Sequence, residues 1–264
     1  MSTALKVQRR QPDFLNSKQI FNFVFEELIM KKLAFFALSA FAAAAMAAGP
    51  VSPSAITISG TSNQTAAMAS TLVSNKSNAN NTAMQNLASN AGDIQIRGRS
   101  DQTVITLDAT LRNEAVNRND WANQNVSSNA GDVEVTRFGT SNQLTALVQT
   151  TVSNKAKGGD AEALQNLASN NGNGIRITGT SNQTVGGLSS SVSNTADGAQ
   201  ARASQNLSSN FGKVLIAGTS NQATYLLGSS VLNMAAGRNS HAIQNIASND
   251  ACNEPQDPCP NGCN

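Results

Sequence analysis

The chain has 264 residues, of which 39% are hydrophobic and 4% aromatic, with 18 Lys and Arg against 16 Asp and Glu. That length allows one or two ordinary domains, but seven of the nine Phe precede residue 50, which leaves thin material for a conventional core in the remainder. From Ala48 onward 12 Lys and Arg face 13 Asp and Glu, a balance that argues against an electrostatic nucleic-acid footprint.

Residues 1–29 carry mixed charge and read as an upstream extension from a mis-assigned start. Met30-Lys31-Lys32, the apolar run Leu33 to Ala45 and the small residues Ala45-Met46-Ala47 have the three parts of a secretory signal peptide, placed at 30–47. The competing reading, a membrane anchor near 33–48, is short for a span of about 20 residues. A linker with Pro50 and Pro53 follows over 48–55.

Beyond it the chain repeats. The pairs Gln85-Asn86, Gln124-Asn125, Gln165-Asn166, Gln205-Asn206 and Gln244-Asn245 recur at steps of 39, 41, 40 and 39 residues, a period that signals a solenoid or stacked array. Five units fill 56–249: about 56–92, 93–131, 132–174, 175–213 and 214–249. Each opens on alternating aliphatics (Ile56/Ile58, Ile94/Ile96, Val133/Val135, Ile175/Ile177, Val214/Ile216), which predicts a short strand. A Gly follows, and a Gln stands four residues after it every time, as Gln64, Gln102, Gln143, Gln183 and Gln222. Eleven residues later comes an Asn in every unit: Asn75, Asn113, Asn154, Asn194 and Asn233. Length changes fall elsewhere, near Phe138 and Asn173, as expected of outer turns. No proline lies between Pro53 and Pro255, so nothing interrupts a continuous hydrogen-bonded stack.

Because strand side chains alternate between faces, columns compared across units predict which side points inward. Around the Gln-Asn pair, Ala83, Ala122, Ala163, Ala203 and Ala242 stand two before the Gln, and Leu87, Val126, Leu167, Leu207 and Ile246 two after. The column three before it holds Thr82, Trp121, Glu162, Arg202 and His241, which share only a solvent face, so the Gln is predicted to point inward. After the earlier Gln, odd offsets are predicted to face in. The fifth holds Ala69, Leu107, Val148, Leu188 and Leu227, and the ninth holds Val73, Leu111, Val152, Val192 and Val231.

The fold expected is therefore all-β: a β-solenoid, or stacked cross-β array, of five coils of about 39–40 residues. A buried amide left without a partner costs about 1–3 kcal/mol. Stacked at about 4.8 Å, however, equivalent amides can bond along the stack. Gln85, Gln124, Gln165, Gln205 and Gln244 are expected to form one such inward ladder, and Asn75, Asn113, Asn154, Asn194 and Asn233 a second. Cys252, Cys259 and Cys263 lie in a tail, 250–264, beyond the repeats. One pair can close a small loop there and leave an odd thiol.

The succession Ser-Asn, Gly, Asp or Asn, aliphatic-x-aliphatic, Gly-x-x-Asn-Gln, as in Ser89 to Gln102 and Ser209 to Gln222, resembles the repeats of bacterial functional amyloid subunits of the Fap type. Two departures are the cysteine spacing, which is not a close Cys-x-x-Cys pair, and the absence of long irregular linkers. Gly-x-x-Asn, as in Gly60/Asn63 and Gly179/Asn182, gives a second resemblance, to curlin repeats, whose period is shorter. Both imply a secreted homopolymer at the cell surface that serves as biofilm matrix and in adhesion. They also imply outer-membrane export machinery and a nucleating subunit.

No enzyme, cofactor, nucleic-acid partner or small-molecule substrate is expected, since no nucleophile and base pairing is recognisable and the single His, His241, sits in a mixed column. The alternative is a soluble, capped β-solenoid that binds glycan or ice through a row of Thr61, Thr140, Thr180 and Thr219. Such residues beside Gly also simply form turns.

Overall fold

A computed structural model of the chain describes residues 55–78, 82–116, 120–159 and 161–249. The segments read as an upstream extension and a signal peptide, most of the linker and the cysteine tail, with Cys252, Cys259 and Cys263, lie outside the described residues.

The described residues form a β-solenoid of five coils, with no helix. A complete coil has five strands, which in the second coil are Ile94–Ile96, Arg99–Leu107, Thr110–Val116, Trp121–Val126 and Asn129–Ala130. Strands at the same position in successive coils pair in parallel and build five sheets along the stack. Register is residue for residue with the repeat, so Gln102, Gln143 and Gln183 are aligned, as are Gln124, Gln165 and Gln205. Equal steps in sequence become equal positions on a coil, and the odd residues are lodged in turns. Arg137 and the exposed Phe138 occupy one such turn, and Asn173 another.

Three apolar columns fill the interior. Ile94, Ile96 and their counterparts pack along the first strand. Val104, Leu147 and Val185 of the second strand pack with Leu111, Val126 and their counterparts on the third and fourth strands. A column of alanines, including Ala115, Ala122, Ala156 and Ala163, lies between the third and fourth strands. Only alanine is repeated there, so those two sheets approach closely. The solenoid also requires glycine where main chains cross. A Cβ on Gly98, Gly139, Gly179 or Gly218 would lie 2.0 to 2.2 Å from a backbone oxygen of the coil before.

One expectation about orientation is corrected. The column five after the Ser-Asn-Gln glutamine (Ala69, Leu107, Val148, Leu188, Leu227) does not face inward, for its members are exposed or only partly covered. On that strand the inward residues are instead the Gln itself and those two and four places later, such as Gln102, Val104 and Thr106, all 0% exposed. The reversal has a local cause. Ser70, Asp108, Gln149, Ser189 and Gly228, one place further on, have φ between 48° and 59° and turn the chain through a corner. Alternation restarts after a left-handed residue, so parity from the third strand cannot be carried back into the second.

Candidate functional site

The third and fourth strands bring the two sets of amides together. Along the fourth strand, Nε2 of Gln124 donates to Oε1 of Gln85 at 2.7 Å, Gln165 to Gln124 at 2.8 Å, Gln205 to Gln165 at 2.6 Å and Gln244 to Gln205 at 2.5 Å. Along the third strand the direction is opposite. Nδ2 of Asn75 donates to Oδ1 of Asn113, Asn113 to Asn154, Asn154 to Asn194 and Asn194 to Asn233, at 2.8 to 2.9 Å. The amides also cross between the sheets. Asn154 Nδ2 donates to the carbonyls of Ala122 and Leu164, while Gln165 Nε2 donates to the carbonyl of Ser193. Each ladder therefore holds its own coils in register and clamps the facing strand. Gln124, Gln165, Gln205, Asn113, Asn154 and Asn194 are 0% exposed, whereas Asn75 and Asn233 are half-buried and Gln244 is exposed at the open end.

Sequence reasoning missed two further ladders. Asn125, Asn166, Asn206 and Asn245 each donate to the counterpart one coil earlier, at 2.8 to 3.0 Å. By alternation these asparagines belong to the face opposite the ladder glutamines, yet Asn125 and Asn166 are 0% exposed. On the two-residue fifth strand, Asn90, Asn129, Asn170, Asn210 and Asn249 form a chain of 2.8 to 2.9 Å bonds. The recurrence of Ser-Asn before each glycine turn was the available signal. A strand of two residues shows no alternation to read.

The fifth-strand asparagines tie up the glutamines of the second strand. Gln143 Nε2 donates to Oδ1 of Asn170 and the carbonyl of Ser169, and Gln183 Nε2 to Oδ1 of Asn210 and the carbonyl of Ser209. Gln64, Gln102, Gln143 and Gln183 thereby hold their side-chain oxygens in one buried column, and none of those oxygens has a hydrogen-bond partner.

The two ends of the solenoid differ from its middle. The strands of the first coil and those of the fifth are the outermost of their sheets and pair on one side only with described strands. Units one and five carry a single charged side chain each, Lys76 and Arg238, against ten basic and ten acidic residues over 93–213. Outward positions that hold Gln95, Glu134 and Arg176 in the middle coils hold Leu215 in the last, and the column of Lys76, Glu114 and Lys155 ends in Met234. Leu215, Tyr225, Leu232 and Met234 are 43 to 56% exposed. Gly60 is unlike its counterparts in that a Cβ there would meet nothing within 4 Å; its φ, like theirs, is not left-handed.

Thr61, Thr140, Thr180 and Thr219 align at the start of the second strand, exposed or half-buried, with Arg99 in the second coil breaking the row. Beside them an outer ladder runs from Asn221 through Asn182 and Asn142 to Asp101, at 2.7 to 2.9 Å. No family model, curated protein or solved structure matches the chain.

Proposed function

We propose that the protein is an exported structural subunit that assembles end to end into extracellular amyloid-like fibres for biofilm matrix and adhesion, the partner at each end being another copy of itself. The observation that carries this reading is the state of the two end coils. Sheet edges in proteins that stay apart are blunted by charge, proline or a covering element. Here both edge coils are nearly free of charge, and neither holds a proline.

The edges also complement one another. A first coil placed on a fifth coil continues every inward column: Val231 meets Val73, Asn233 meets Asn75 and Gln244 meets Gln85. On the outer face large residues meet small ones, Tyr225 against Ala67 and Leu232 against Ser74, while Leu72 meets Ser230. The ladders add polarity. Asn side chains donate toward the fifth coil and ladder Gln side chains toward the first, so head-to-tail stacking extends both and head-to-head stacking opposes like atoms. Gly60 fits the same arrangement, because a coil docked beneath it would bring the main chain that makes glycine obligatory at Gly98 and Gly139. Export machinery in an outer membrane and a nucleating subunit belong to the proposal through the family resemblance alone.

The test is to purify residues 48–264 in denaturant, dilute into buffer and follow thioflavin fluorescence with fibre diffraction. Fibres with a meridional spacing of about 4.7 Å and lag-phase kinetics support the reading. A stable monomer with β circular dichroism overturns it and favours the capped, surface-binding solenoid, for which the Thr61 row is the surface to mutate.

A further inference from the structure

The chain contains two sets of stacked, inward glutamines, and they solve the same problem differently. In the Gln124, Gln165 and Gln205 series each Nε2 bonds the Oε1 of the neighbouring coil, so oxygens and nitrogens satisfy one another. In the Gln64, Gln102, Gln143 and Gln183 series the Nε2 groups bond to the fifth strand and the residue before it instead of to the next Oε1; Gln143 and Gln183 each commit both amide hydrogens there, and all four Oε1 atoms are left without a partner. Flipping these amides does not help, because the groups facing Nε2 are carbonyl oxygens that only accept. Nor can the fifth-strand asparagines supply a donor. Asn170 Nδ2 is already shared between Ser181 Oγ and Asn210 Oδ1. A repeated orphan in successive coils is a property of the repeat, and buried orphans of this kind mark places where a small polar molecule sits.

We propose that the solenoid encloses a file of water molecules, one between successive coils, each donating to the Oε1 atoms of two stacked glutamines of this column. Oxygens repeating at about 4.8 Å match the span of a water that donates both hydrogens at about 2.8 Å, whereas they are too far apart to bond directly. A donor for a third bond to each water stands on the same face. Ser100, Ser141 and Ser181 are 0% exposed, sit two residues before these glutamines on the same inward face and accept an N–H from Asn90, Asn129 and Asn170. Their hydroxyl hydrogens are left to donate to the water. The occupied column is therefore a wet counterpart of the dry Gln124 ladder. It runs out at Gln64 and Gln222, so coils stacked end to end would continue it without a break.

Water-edited magic-angle-spinning NMR on the carbon- and nitrogen-labelled protein, sedimented as monomer or collected as fibres, tests this directly. The side-chain amide signals of Gln102, Gln143 and Gln183 are expected to build up from water several-fold faster than those of Gln124 and Gln165, which are equally buried. Equal, slow build-up at both sets overturns the water file. The readout is the same in either state, so a failure of fibre assembly leaves it unaffected.

Discussion

Coil 3 and coil 5 carry the same columns, yet Leu147 and Leu167 are sealed at 0% exposure while their counterparts Leu226 and Ile246 are 38% and 41% exposed. Burial in a solenoid comes from the coil above and the coil below, and an end coil lacks one of them. The middle coils complete their core within the molecule and carry twenty charged residues of both signs, of which the described ones lie at the periphery and in turns apart from the buried Asp120 and Glu114. The end coils carry one charge each, and among the described residues no strand covers their apolar and amide-lined outer face. A repeat protein meant to stay alone does the reverse, with polar capping repeats at its ends.

Paired substitutions at middle and end coils break or sharpen this contrast. The largest difference is expected for glycine. Gly139→Ala places a Cβ 2.1 Å from the carbonyl oxygen of Ile96 and should destabilise the monomer by about 3 kcal/mol or more in urea titrations. Gly60→Ala should leave the monomer within about 0.5 kcal/mol of wild type and stop fibre growth. Wild-type growth by Gly60→Ala would refute docking of a coil beneath the first.

Next is the aliphatic column of the fourth strand. Leu167→Ala should cost about 2–5 kcal/mol wherever it is measured. Ile246→Ala should cost less than half of that in the monomer and approach it in fibres, read as a shift in the denaturant needed to dissolve them. Equal loss at Ile246 in both states would show that its face stays open.

A smaller effect is expected for the amides. Gln165→Leu removes a donor and an acceptor from the dry ladder and should cost about 1–3 kcal/mol per orphan created, with slower or misregistered assembly. Gln244→Leu should barely change the monomer and lengthen the lag phase. Unchanged kinetics in both variants would separate the ladders from assembly. The smallest effect belongs to the periphery: Arg176→Ala breaks a 3.2 Å pair with Glu134 between exposed side chains and should change stability by less than about 1 kcal/mol, less still in high salt.

The repeat is legible in the sequence because equal steps between like residues leave a chain few ways to bury its aliphatics except by stacking. The period, the five coils and the orientation around the Gln-Asn pairs all follow from comparing columns. So does the outward direction of Gln95, Glu134 and Arg176, whose neighbours Ile94, Ile96 and Val135 are buried. Tertiary structure alone decided where alternation restarts. Leu107 and Leu188 look like core residues in a column of aliphatics, but a left-handed residue at Asp108 or Ser189 turns the chain just after them and leaves them outside. Tertiary structure also decided the fates of identical amides. Gln124 and Gln143 are both inward and both stacked, and only the strand facing each one determines whether its oxygen finds an N–H. Alternation is a local property of a strand, while hydrogen-bond satisfaction depends on what lies across the coil, and the chain brings those partners together only on folding.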